Sequence, residues 1–202
     1  KTSEARILVE IGKIYSRLDE LDLAMEYLEE SLTIRVAKKI NKDNQIGTIF
    51  LKKAEIYFKK KQYNQAIEYS KKAINKFKNT NNKFDLSECY MLLAKSNNKL
   101  LKKEQALDYT NTSLAINYEI DNNSKIIEAL ILKSYLLLDS KPIVAKNQAE
   151  ETLGLINLET SNEIKADLYK LLYLCYKSNN QSGKALSMIE KHTVYKDSFQ
   201  LE

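Results

Sequence analysis

Five alanines form a ladder along the chain: Ala24, Ala66, Ala106, Ala145 and Ala185, separated by 42, 40, 39 and 40 residues. A second ladder runs ahead of it through Gly12, Ala54, Ala94, Ser134 and Tyr173, separated by 42, 40, 40 and 39. Two ladders with one period constrain the fold more than any single motif. Self-similarity at a fixed interval of about 20–50 residues marks stacked units, each too small to bury its own apolar face.

Within a period the apolar spacing is helical. Ile7, Leu8, Ile11, Ile14, Tyr15 and Leu18 follow i, i+3, i+4 and i+7 intervals, Asp19–Glu20 breaks the stripe, and Leu21, Ala24, Leu28, Leu32 and Ile34 resume it. Each unit therefore reads as helix, turn, helix, with turns near Asp19, Lys61, Lys102, Ser140 and Asn180. Composition agrees: 4 glycines and 1 proline in 202 residues leave little material for hairpin turns or phosphate loops. At 44% hydrophobic and 29% charged, the chain can fill a continuous core and keep a polar outside. Ten helices and no sheet are expected.

These residues resemble the tetratricopeptide repeat. Leu8, Ile11, Gly12 and Tyr15 match its first helix, and Ala24, Tyr27, Leu28 and Ser31 its second. Phe50, Ala54, Tyr57, Tyr63, Ala66, Tyr69 and Ala73 repeat the pattern, as do Tyr90, Leu93, Ala94, Ala106, Tyr109 and Ser113. The resemblance implies an all-α fold, a right-handed α–α superhelix (solenoid) of about five hairpins. Residues 1–202 form one solenoid domain in this reading, with repeats near 3–42, 43–82, 83–122, 123–160 and 161–200. The helices should cross closely at the Gly12/Ala24 type of contact, and the aromatic positions should fill the space between successive hairpins. Departures are Lys53 at an apolar position, Asn97 for tyrosine, Tyr173 at the small position and His192 for alanine or serine. Repeat four is one residue shorter between its ladder positions, with Pro142 expected to open its second helix. The period near 40 exceeds the family's common value of about 34. The added residues are expected in the second helix and its exit turn, as at Val36 to Asn44 and Phe77 to Asn82.

Chemistry is sparse. One histidine, His192, argues against a histidine-based metal site, and no cofactor is implied. A Cys175–His192 pair has no identifiable oxyanion hole or orienting carboxylate, and packing of the last hairpin explains both residues. Gly183–Lys184 lacks the first glycine, the hydroxyl residue and the preceding strand of a phosphate loop. Cys89 and Cys175 lie inside apolar helical patterns as small buried hydrophobes. The chain is thus read as non-catalytic.

A groove is the better prospect. In solenoids of this type the first helices line a concave face, and the resemblance carries its positions to Val9, Lys13, Arg17, Leu51, Phe58, Lys59, Met91, Lys95, Lys99, Ile131, Tyr135 and Leu174. The apolar members imply an interaction patch, and the lysines and arginine a basic flank that steers an acidic and apolar protein or peptide. The alternative is that long helices bury these apolar residues against one another. The carboxylate clamp for a chaperone's C-terminus does not fit, because it wants lysine at Val9, asparagine at Lys13, and lysine and arginine at Glu88 and Leu92. Residues 51–83 carry ten lysines against two glutamates, +8 of a net +5, read as solvated helix faces or a surface for an acidic partner. Aromatic platforms are not interleaved there, so no nucleic-acid contact is expected.

No apolar run spans a membrane, so membrane association would come only through flanking segments. Lys1 in place of methionine and the closing Leu201–Glu202 read as a piece of a longer protein. Tyr195 followed by Lys196–Asp197–Ser198–Phe199 resembles the exit helix of bacterial tetratricopeptide sensor proteins, which implies the ligand-sensing region of a sensor histidine kinase. A freestanding adaptor and an intracellular peptide-receptor regulator are the alternatives. Met188, Tyr195 and Phe199 are expected to dock the last hairpin against a second copy, forming a homodimer, or against a downstream helix.

Overall fold

A computed structural model describes residues 2–37 and 43–200, with side chains at 3–37 and 43–198. Among the described residues there are ten α-helices and no strand, as the ladders predict. In chain order they are α1 (Thr2–Arg17), α2 (Leu21–Ala37), α3 (Asp43–Lys59), α4 (Tyr63–Phe77), α5 (Lys83–Lys99), α6 (Lys103–Glu119), α7 (Asn123–Leu137), α8 (Pro142–Leu153), α9 (Asn162–Ser178) and α10 (Ser182–Gln200). Successive helices pair as hairpins, the all-α arrangement of the α–α superhelix class. Part of the expected second-helix extension, at 38–42, lies outside the described residues. Elsewhere both helices carry the long period: α3, α5 and α9 have 17 residues each, as many as α2 and α6. The helices fall into two compact units, one ending at Ile116 and the other beginning at Asn117.

The turn inside a hairpin has one recurring device. Asp19, Lys61, Leu101 and Asn180 take positive φ, at 62°, 59°, 60° and 57°. After each, an amide reaches back five residues to a carbonyl: Glu20 to Tyr15, Gln62 to Tyr57, Lys102 to Asn97 and Gln181 to Tyr176, at 2.9–3.0 Å. This is the left-handed closure that satisfies orphan carbonyls at a helix end. Repeat four, one residue shorter, lacks it. There the Lys141 amide donates to the Leu137 carbonyl at 2.7 Å, and Pro142 opens α8 at its first turn, where a missing N–H costs no helical bond.

Hairpins close at the ladder positions. Ala24, Ala54, Ala66, Ala94, Ala106 and Ala145 are fully buried. A Cβ on Gly12 would sit 3.1 Å from Leu28 Cγ and 3.2 Å from the Ala24 carbonyl, so α1 and α2 touch almost backbone to side chain. Gly47 is tighter still, with a Cβ there falling 2.7 Å from the Phe77 ring of α4. The aromatic positions do not lie mainly between hairpins. Tyr15 stacks on Tyr27 at 5.3 Å and Tyr57 on Tyr69 at 5.1 Å, each pair joining the two helices of one hairpin. With Asn97 in place of tyrosine, Tyr109 tilts against Tyr90 instead, and the Asn97 amide donates to the Leu93 carbonyl.

The remaining departures also find partners. Lys53 buries its stem while its ammonium reaches Glu29 of the preceding hairpin at 3.1 Å and lies 4.9 Å from the Tyr69 ring centre. His192 Nδ1 donates to the Ala166 carbonyl at 2.9 Å. It occupies the register of Ser31 and Ser113, whose hydroxyls donate to the Ala5 and Ser87 carbonyls at the same 26-residue separation. Histidine therefore replaces serine in kind.

These contacts fix two opposite expectations. Gly47→Ala should lower stability by about 1–3 kcal/mol, because the new methyl meets the Phe77 ring. Leu101→Gly should raise it by about 0.5–1 kcal/mol, since Leu101 is an exposed β-carbon residue held at positive φ. Urea denaturation of both variants beside the parent chain checks the two signs.

Candidate functional site

The first helices of the N-terminal unit enclose a concavity of about 500 Å³. Lys13, Ser16 and Arg17 of α1, Thr48, Lys52, Glu55 and Lys59 of α3, and Phe84 and Asp85 of α5 line it. The polar stripe of α3 is periodic, because Thr48, Lys52, Glu55 and Lys59 are spaced i, i+4, i+7, i+11 and share one face.

Its charges are unequally matched. Lys13 pairs with Glu10 at 2.8 Å and Lys52 with Glu55 at 2.7 Å. Lys59 donates to the Ser16 carbonyl and lies 4.0 Å from Asp19. Asp85 is held by its own helix start: its amide donates to Asn82 Oδ1, and its carboxylate accepts from Asn82 Nδ2 at 2.9 Å and from Thr48 at 3.0 Å. Arg17 has no ion pair among the described residues. Four cations and two carboxylates line the concavity, Glu10 and Asp19 engage two of the cations from outside it, and the half-exposed ring of Phe84 stands at the edge.

The sequence-derived groove divides into three groups. Lys13, Arg17 and Lys59 come together in the concavity. Val9, Leu51, Met91 and Ile131 do not offer themselves to a ligand: they are only 6%, 1%, 4% and 6% exposed. They share one register, three residues before Gly12, Ala54, Ala94 and Ser134, and this register is buried in each of four repeats. Long first helices bury these residues in the core, the alternative weighed above. Phe58 is half-buried against Tyr63 at 5.5 Å, while Lys95 and Lys99 are exposed on α5 outside the concavity and unpaired among the described residues. In the C-terminal unit Tyr135 and Leu174 are half-buried, and the Tyr135 hydroxyl donates to the Asp167 carbonyl at 3.5 Å. Thr48, Lys52, Phe84 and Asp85 were missed by the sequence reading, although the α3 stripe was a signal for the first two.

The C-terminal contact residues are also engaged. Tyr195 stacks on Tyr169 at 5.4 Å, and Met188 packs against the core of the same unit. Both face into their hairpin, and the exposed apolar residues of α10 are Leu186 and Val194. The Phe199 side chain lies outside the described residues.

Part of the lysine-rich stretch is neutralised across helices, where Lys53 meets Glu29, Lys60 meets Asp22 and Lys76 meets Asp43, while Lys72 meets Glu68 within α4. Nor do Cys175 and His192 form a pair. His192 is bonded opposite Ala166, nine residues before Cys175, about 13 Å along the helix. Among the described residues no helix is long and apolar enough to cross a membrane, and no group of three or more His, Cys, Asp or Glu could hold a metal ion.

A tetratricopeptide-repeat family model matches residues 5–35 and 48–75, the first two hairpins. The first two hairpins are tetratricopeptide repeats. The fold of the whole chain is similar to solved structures of such proteins. The TPR-like repeats of a candidate kinesin light chain from Podosopora anserina align with a TM-score of 0.74 at 15% identity, over 100% of this chain and 99% of that one. The apo form of RapI aligns with a TM-score of 0.83 at 17% identity, over 96% of this chain and 71% of that one. YrrB, a tetratricopeptide-repeat protein with an unusual peptide-binding site, aligns with a TM-score of 0.59 at 18% identity, over 96% and 87%. No curated protein sequence matches the chain. None of these matches indicates a catalytic family.

Burial pushes the Cys89 thiol up and raises Cys175 to about 11, so both stay protonated at pH 8. A thiol-reactive chromogenic disulfide should therefore titrate neither cysteine in the folded chain at that pH, and two per chain after unfolding in guanidinium. Rapid labelling of either in the native state would contradict the packing described for α5 and α9.

Proposed function

We propose that the concavity of the N-terminal unit binds a peptide segment of a protein partner, and that the segment carries acidic and apolar residues. The observation that carries this reading is Arg17, a lining guanidinium with no ion pair among the described residues, set beside Lys13 and Lys59 in the same concavity. A carboxylate of the ligand would meet Arg17, Lys13 and Lys59, the guanidinium offering two parallel donors. An apolar or aromatic side chain would lie on Phe84. The peptide-binding site of YrrB, a protein of similar fold, is consistent with this use of the fold.

At a finer level, we infer that the chain is the ligand-sensing region of a bacterial signal-transduction protein, a sensor histidine kinase whose output domain lies downstream. The run Tyr195–Lys196–Asp197–Ser198–Phe199 in α10 supports this, through its resemblance to the exit helix of such sensors. The coding sequence beyond this chain tests it directly: a kinase domain there is the expected finding, and a stop codon or an unrelated domain would overturn it.

Peptide binding is measurable by fluorescence polarisation against pools of fixed composition. Acidic–aromatic peptides should bind with dissociation constants on the order of 1–100 µM, and basic pools far more weakly. The Arg17→Glu, Lys59→Glu double variant should weaken binding at least about tenfold, and raised salt should reduce the difference. The Lys95→Glu, Lys99→Glu variant alters cations outside the concavity and should have the smaller effect. The reverse order of sensitivity would move the site to α5.

A further inference from the structure

Alignment of the hairpins by their two ladders shows what fills the angle between the helices of each. In the second hairpin a ring fills it. Tyr69, three residues after Ala66, stacks on Tyr57 at 5.1 Å and meets Phe50 edge-on at 6.1 Å. The ammonium groups of Lys53 and Lys72 lie 4.9 and 4.5 Å from the centre of the same ring. Five registers thus build one aromatic box. The first and third hairpins place Tyr27 and Tyr109 in the register of Tyr69, against Tyr15 and Tyr90. The fourth places Gln148 there, with Leu130 and Leu137 in the registers of Phe50 and Tyr57. It has no ring in any of these three positions.

A concavity of about 550 Å³ stands in its place, lined wholly by residues of the C-terminal unit. Its walls are the five registers of the box: Leu130, Lys133 and Leu137 of α7, and Gln148 and Glu151 of α8. Tyr118, Val144 and Leu155 give it an apolar rim, each about half exposed. Both α7 and α8 are internal helices, and the opening comes from the missing rings. Lys133 holds the register of Lys53 but has no ring to lie over, and its ammonium has no ion pair among the described residues. Glu151 holds the register of Lys72 with the opposite charge, and its carboxylate is likewise without an ion pair among them.

We propose that this concavity receives an aromatic side chain of another protein, presented beside a basic residue. The ring takes the place that Tyr69 has in the second hairpin. It lies on Leu130 and Leu137, with the Lys133 ammonium over its face as Lys53 lies over Tyr69. Where the second hairpin has a second cation on the ring, Glu151 offers an acceptor to the partner's guanidinium or ammonium group. Both unpaired charges of the concavity are then answered by one segment. That segment is opposite in charge to the one read for the N-terminal concavity, so the two sites call for different ligands.

The chain has no tryptophan, so the tryptophan emission of a short arginine–tryptophan peptide, with serine and glycine elsewhere, reports the peptide alone. Titration with the full chain should shift that emission to the blue, with a dissociation constant on the order of 0.1–1 mM. Excess arginine–tyrosine peptide should reverse the shift, and arginine–alanine peptide should not. Gln148→Tyr, which supplies the missing ring, should weaken binding at least about tenfold while circular dichroism stays helical. Glu151→Lys, at an exposed position, should turn the preference from arginine–tryptophan to glutamate–tryptophan peptide. No blue shift at several millimolar overturns the proposal, as does binding indifferent to Gln148→Tyr, and an unchanged preference in Glu151→Lys rejects the basic neighbour. Binding lost in Phe84→Ala but kept in Gln148→Tyr would assign the peptide to the N-terminal concavity. Self-association of the parent chain in sedimentation velocity, abolished by Gln148→Tyr, would give the box to a second copy and overturn the peptide reading.

Discussion

Each hairpin depends on the close approach of its two helices at positions too small to hold them apart. A methyl group on Gly47 would overlap the Phe77 ring and one on Gly12 would press on Leu28 and the Ala24 carbonyl, and the buried alanines of the two ladders repeat such close contact down the chain. Close approach has two consequences. It removes apolar surface from water across the whole length of each hairpin, which is the principal stabilising term for such elements. It also brings the backbone of one helix within hydrogen-bonding reach of side chains on the other, so Ser31, Ser113 and His192 can donate to carbonyls 26 residues earlier.

The same logic shapes the proposed recognition face. When neighbouring first helices are long, one register of each is consumed by burial, and Val9, Leu51 and Met91 disappear into the core. What remains for a ligand is the next set of positions, where Lys13, Arg17 and Lys59 stand. The surface is consequently polar with one aromatic, not an apolar trough. Such a surface discriminates by charge and geometry more than by buried area, and suits moderate, salt-sensitive affinity.

The sequence made the hairpins legible because both ladders are local statements: a small residue every 40 or so positions, set in helical spacing, says where two helices must cross. Even the irregularity of repeat four was visible, since Pro142 can only open a helix. What the sequence did not disclose depends on contacts far apart in the chain. The lysine-rich stretch read as solvated helix faces or a surface for an acidic partner, but its partners Glu29, Asp22 and Asp43 lie 24, 38 and 33 residues from the lysines they bind. Phe84 and Asp85 reach the concavity only through the angle at which α5 crosses α3, and the residues of a single helix do not encode that angle. Tyr195 and Met188 pack toward their own hairpin, a placement the sequence left open because an apolar residue in a last helix looks the same whether it faces its own hairpin or a partner.

The serine and histidine bonds have a consequence for motion along the helix axes. A bond from a side chain to one particular carbonyl of the opposite helix resists axial slippage in a way that packing of small residues cannot, since alanine slides past alanine with little change in contact. The first, third and fifth hairpins carry such a pin. The second has Ala73 in that register, and in the fourth Thr152 turns its hydroxyl to the Gln148 carbonyl of its own helix. The hairpins therefore alternate between pinned and unpinned, and any small sliding adjustment of one helix past its mate would be concentrated in the second and fourth.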